Sequence, residues 1–176
     1  MNNRSFRIGE LAVYPTRGVT QVLGIECREV SGIRQTFYHL RVASSDERIF
    51  VPISKAHSVG LRPVIPKEEV TKVFEFLKTK PVKPVKHNWN KRLREYNEKL
   101  MRGSIYDVAE VMRELYYLRY QKMLSFGEKK VLETARDLLV GEIAAATKED
   151  ISKVKEQVES LFPAVQETDA RRNAEQ

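Results

Sequence analysis

The chain has 176 residues, 41% hydrophobic and 31% charged, with a formal net charge of +7. That is room for one domain of ordinary size or two small ones. It excludes a helical membrane protein, because no apolar run approaches the ~20 residues a spanning helix needs, and the single cysteine, Cys27, excludes an internal disulfide framework and a multi-cysteine metal site.

Met1 to Glu10 carries Arg4, Arg7 and Glu10 without an apolar segment, so it does not read as a secretory signal, and the chain reads as a cytoplasmic protein of bacterial style. The first third then alternates as β-strands do. Leu11 to Pro15 is followed by Gly18, Val19 to Glu26 alternates, Gly32 marks a turn, and Thr36 to Ala43 and Arg48 to Ile53 alternate again. Short β-branched and aromatic runs with glycine punctuation predict a small antiparallel barrel or curled sheet. Pro15 and Pro52 suit strand ends or an edge. Cys27, alone in such a segment, reads as a small apolar filler.

The period changes after Pro66. Val70, Val73, Phe74 and Leu77 share one helix face. Lys80 to Lys86 holds two prolines in four residues, which interrupts the helix with an extended segment. From Asn88 the helical pattern returns. Ser104 with Asp107, Ser125 with Glu128, and Thr147 with Asp150 each have the spacing of a capping box. Apolar stripes follow each start, and a compact helical bundle is the economical reading. The fold class is therefore α+β, with a β domain over 1–66, a helical domain over 67–163 and a disordered tail over 164–176.

The charge is concentrated. Residues 80–102 carry 8 basic and 2 acidic side chains, whereas residues 103–176 carry 11 and 14. A phosphate backbone suits such a stretch, because Lys and Arg displace its condensed counterions; a solvated linker and helix face is the plainer reading. The chemistry of an enzyme is missing. His39, His57 and His87 are scattered, no glycine-rich phosphate loop occurs, and no motif calls for a cofactor or metal.

Trp89, the only tryptophan, lies in Lys86-His-Asn-Trp-Asn-Lys-Arg-Leu-Arg94. Two readings stay open. Trp89, Leu93, Tyr96 and Leu100 share one helix face, which makes Trp89 a core residue. Alternatively Asn88 caps the helix and Trp89 stands at its exposed N-terminal end among cations, placed to stack on a base or wedge into a duplex.

The segments Phe6-x-Ile-Gly-Glu-x-Ala-Val-Tyr-Pro-x-x-Gly18, Arg48-Ile-Phe-Val-Pro52, Ser58-Val-Gly-Leu-Arg62, Asn88-Trp-Asn-Lys-Arg92 and Leu124-Ser-Phe-Gly-Glu-Lys-Lys130 occur in this order. Together they resemble the CarD/CdnL family of bacterial RNA-polymerase-binding transcription regulators, from about residue 5 to residue 163, and more closely its two-domain CdnL-type members. The resemblance implies a Tudor-like N-terminal domain that docks on the RNA polymerase β subunit. It implies a helical domain that contacts promoter DNA at the upstream edge of the melted −10 region, and so a stabilised open complex, often at ribosomal RNA promoters. No membrane and no small-molecule substrate is implied.

Carried over by position, Trp89 is the wedge, Lys91 and Arg92 contact the DNA backbone, and Lys86 and Arg94 are weaker candidates. Phe126 is structural support for the DNA-binding face. Arg28, Leu40, Arg48, Phe50, Val51 and Pro52 fall on the segments that meet polymerase; some relatives carry arginine where Phe50 stands, and the phenylalanine suits an apolar or edge-to-edge strand contact. Two other functions remain: a free-standing nucleic-acid-binding module that works without polymerase, and a protein-interaction adaptor with Trp89 in its core.

Overall fold

A computed structural model describes residues 5–81 and 88–162. The tail expected at 164–176, and most of the extended segment expected between Lys80 and Lys86, lie outside the described residues. The chain divides into two units, Met1–Val64 and Ile65–Gln176.

The first unit is an antiparallel sheet of β1 (Leu11–Tyr14), β2 (Gly18–Val30), β3 (Ile33–Val42), β4 (Arg48–Pro52) and β5 (Arg62–Pro63), in the order β4-β3-β2-β1-β5. The α+β layout is as expected, but the sheet is not closed into a barrel: β4 and β5 are separate edges. The ladder stops at β5 because that strand is two residues long and Pro63 brings no N–H. The turn expected at Gly32 joins β2 to β3, with Ser31 and Gly32 at φ of 53° and 78°. Two positive φ angles are what a two-residue hairpin turn with right-handed strand twist requires.

The register of β2 against β3 shifts between Val22 and Gly24, so Leu23 is an extra residue. Such a bulge flips the strand's face. Val22 therefore lies in the core, while Glu26 and Arg28, at the same even spacing, lie on the opposite face with His39. The core side holds Ala12, Val22, Tyr38, Leu40 and Val51, closed by Phe6, Ala56 and Leu61. The Phe6 amide donates to the Tyr38 hydroxyl at 3.0 Å, and the two rings meet edge to face. Cys27 is exposed, which corrects its reading as a filler: it falls on the part of the β2–β3 hairpin beyond the core.

The second unit holds α1 (Lys67–Lys78), α2 (Trp89–Arg102), α3 (Ile105–Gln121), α4 (Phe126–Thr147) and α5 (Ile151–Glu159). None of these is long and apolar enough to cross a membrane. α3 is buried most completely, with Ala109, Val111, Met112 and Leu115 fully inside, and the other helices pack around it and α4. The buried Arg113 of α3 closes the end of α1: its guanidinium donates to the Phe76 and Thr79 carbonyls at 3.0 and 3.3 Å and lies on the Phe76 ring. It satisfies carbonyls that a helix terminus leaves open.

The three expected capping boxes have three outcomes. Ser125 and Glu128 form one reciprocally. Ser104 sits at the N-cap of α3 but makes no side-chain cap, and Asp107 is bound by Arg102 at 2.9 and 3.1 Å. Thr147 does not start a helix; it ends α4, its hydroxyl donating to the Ile143 carbonyl. Asp150 is the N-cap of α5 and accepts from the Ser152 amide at 2.8 Å.

Candidate nucleic-acid interface

α2 starts where Asn88 caps it, Oδ1 accepting from the Lys91 amide at 3.0 Å. This bond satisfies one of the open donors of the first turn and sets Trp89 as the first helical residue. Down the same stripe Leu93 is half-buried and Tyr96 and Leu100 are buried. Trp89 itself is half-buried, packed on the helical core at the end of the stripe. It combines features of both open readings: one side of the indole is seated and the other is not.

The seat is Gly127, in the first turn of α4. A Cβ built at Gly127 would lie 2.9 Å from Trp89 Cζ2, closer than side chains tolerate. The bare glycine is what lets the ring lie against the helix.

Beneath this contact lies a buried ionic cluster. Glu128 is 1% exposed. One carboxylate oxygen accepts from Arg92 Nη2 at 2.8 Å, the other from the Ser125 amide at 2.8 Å, and Lys122 Nζ donates to both at 2.9 and 2.8 Å. Burial alone pushes this carboxyl up; the Lys122 ammonium, the Ser125 amide and the Arg92 guanidinium pull it the other way, down to about 2. Glu128 is thus ionised and ties α2, α4 and the segment between α3 and α4 together at the point where Trp89 emerges.

This geometry reassigns two residues. Arg92 was expected on the DNA backbone, but it is only 9% exposed and its guanidinium is paired to Glu128. Its neighbours on α2, Lys91 and Arg94, are exposed. Phe126 was expected as structural support, yet its side chain is 85% exposed beside Gly127 and packs nothing into the core. Lys86 lies outside the described residues. Sequence reasoning also missed Lys130, exposed in the first turns of α4, and exposed Met123. Glu128 was legible as a capping residue, but nothing local linked it to Arg92, 36 residues away.

In the sheet unit a second cluster covers the face opposite the core. The Arg28 guanidinium lies 3.9 Å from the centroid of the Phe50 ring, and the His39 ring stacks on Phe50 at 4.4 Å. Glu26 binds Arg28 at 2.8 Å and His39 Nδ1 at 3.1 Å. The Arg28 guanidinium holds the Glu26 carboxyl below the usual carboxylate range. Arg48 and Pro52 share this face, since β4 pairs Arg41 with Arg48, His39 with Phe50 and Phe37 with Pro52. Leu40 and Val51, named with them as polymerase contacts, point the other way and are 0% and 3% exposed, so their side chains belong to the core.

Two family models match the chain along its length: the CarD-like/TRCF RID domain over residues 6–65 and the CarD C-terminal domain over residues 72–159. A Bacillus subtilis (strain 168) protein described as "Putative transcription factor YdeB" is 30% identical over 141 residues, which cover 78% of this chain and 90% of that protein. The matched spans take in both the sheet cluster around Phe50 and the helical face around Trp89, and the chain belongs to the CarD family of transcription factors.

Proposed function

We propose that the chain binds the RNA polymerase β subunit through its sheet unit and stabilises the promoter open complex through its helical unit. It acts at the upstream edge of the −10 bubble, ribosomal RNA promoters included, and so works in the cytoplasm on the nucleoid. The observation that carries this reading is the seating of Trp89. A half-buried indole braced against Gly127, at the head of a helix bearing exposed Lys91 and Arg94, is rigid enough to wedge and is flanked by phosphate-binding charge.

For docking, β4 is the edge best suited to pair with a strand of polymerase, because β5 is too short and carries Pro63. Arg28, Arg48, Phe50 and Pro52 supply the adjoining face. The arginine of some relatives is replaced by Phe50, which here supports Arg28 from below and keeps a cation presented at the surface.

A wedge and a few phosphate contacts bind free DNA weakly. Tethering to polymerase raises their effective concentration at the bubble. Binding the open state better than the closed one by ~1–2 kcal/mol raises open-complex occupancy roughly 5- to 30-fold. The test is open-complex lifetime on a ribosomal RNA promoter with cognate polymerase, comparing no factor, wild type and Trp89→Ala, with folding of the variant checked alongside. The expected result is a longer lifetime with wild type that a folded variant loses. Tight, strongly salt-dependent DNA binding without polymerase would favour the free-standing module instead.

A further inference from the structure

On the side of α4 away from Trp89 the helical unit holds a cavity of about 460 Å³, bordered by α3, α4 and the end of α5. At ~100° per residue, Lys129 and Arg136 fall on the opposite side of α4 from Gly127. The volume is within the range of small-molecule sites, roughly 300–1,000 Å³. One wall is apolar: Tyr116 and Phe162 stack at 4.3 Å with rings nearly parallel. Three cations reach the cavity, Arg119 from α3 and Lys129 and Arg136 from α4. The Arg119 guanidinium rests 4.7 Å from the Tyr116 ring centroid.

We propose that this cavity binds a small phosphate-bearing metabolite of nucleotide size, its phosphates held by Arg119, Lys129 and Arg136 and its organic part against the Tyr116–Phe162 wall. Two carboxylates, Glu133 and Glu159, also border the cavity, and Glu159 is 3.5 Å from Arg136. A neutral or singly charged ligand gains little there. Arg136 Nε and Nη2 are held by Asp137 at 3.2 and 3.1 Å, so a multiply charged phosphate engages Nη1 in place of Glu159, because a partly exposed ion pair at 3.5 Å is weak and a guanidinium–phosphate hydrogen bond is charge-assisted. Leu124, between α3 and α4, also lines the cavity, two residues from Lys122 and from Phe126. Occupancy therefore bears on the segment that supports the Trp89 seat.

The test is calorimetric titration of the full chain with ATP, GTP and inorganic phosphate, using wild type, Lys129→Ala with Arg136→Gln, and Lys91→Ala. The expected result is saturable one-to-one nucleotide binding, weakened at least tenfold in the double variant, unchanged in Lys91→Ala and not matched by inorganic phosphate. If the double variant does not fold, Lys129→Ala alone, an exposed side chain, carries the comparison. No saturable binding at millimolar nucleotide, loss in Lys91→Ala instead, or equal affinity for inorganic phosphate overturns the proposal.

Discussion

Trp89 rests on the backbone of Gly127: a Cβ at that glycine would stand 2.9 Å from the indole Cζ2. The contact joins the first turns of α2 and α4. Gly127→Ala therefore lifts the ring from its seat. Alanine is the better helix former by about 1 kcal/mol, which offsets the steric cost, so the melting temperature is expected to change little. Trp89 is the only tryptophan, so intrinsic fluorescence reads it directly. We expect a red-shifted emission, and a shortened open-complex lifetime in the same variant.

Arg92 and Lys91 are adjacent in sequence and opposite in exposure: Arg92 is buried against Glu128 and Lys91 faces solvent. Arg92→Ala removes one partner of the buried Glu128 and leaves it Lys122 and the Ser125 amide, and losing a hydrogen bond to a charged group is expected to cost about 1.5–3 kcal/mol. Lys91→Ala removes an exposed cation, with stability expected within about 0.5 kcal/mol of wild type. In DNA binding the reverse order is expected, with Lys91→Ala weakening affinity uniformly across sequences and lowering the salt slope by about 1. Urea melts beside salt-dependent binding isotherms separate the two.

The Glu128 carboxyl is held at about 2 in the folded chain against an ordinary value of 4.5. A depressed value means the ionised form is bound more favourably in the folded state. Its stabilisation is fully present above pH ~4.5 and is lost as pH falls through that value toward ~2. The shift corresponds to roughly 3 kcal/mol. Denaturant melts from pH 7 to pH 2.5 are expected to show this loss in wild type and a shallower fall in Glu128→Gln, which starts from lower stability at pH 7.

The sheet residues divide in the same way. Leu40→Ala opens a hole in the core and is expected to cost about 2–5 kcal/mol. Arg28→Ala and Phe50→Ala act on the outer face and are expected to leave the fold intact while weakening binding to a polymerase β fragment. Phe50→Ala also releases Arg28 and His39 from its ring. If Phe50→Ala binds the fragment as tightly as wild type while folded, the docking face is misassigned.

Local spacing was sufficient for much of this. Periods of 2 and 3.6 separated the sheet from the helices, because each backbone geometry exposes its faces at a fixed interval. Asn88 and Ser125 were legible as caps, since a cap acts within three residues. Five motifs in order identify the CarD family from local sequence. Thr147 failed because the capping spacing also occurs at a helix end, where the hydroxyl bonds back to Ile143.

What tertiary structure alone decided depends on distant partners. Alternation along β2 could not reveal that one extra residue at Leu23 turns Arg28 toward Phe50 and His39. The helix face of Arg92 gave no sign of Glu128, 36 residues on, nor the motif around Phe126 any sign that its ring is exposed. A residue's type and period set which way it points on its own element; whether that direction is core, ion pair or solvent is set by whichever element packs there.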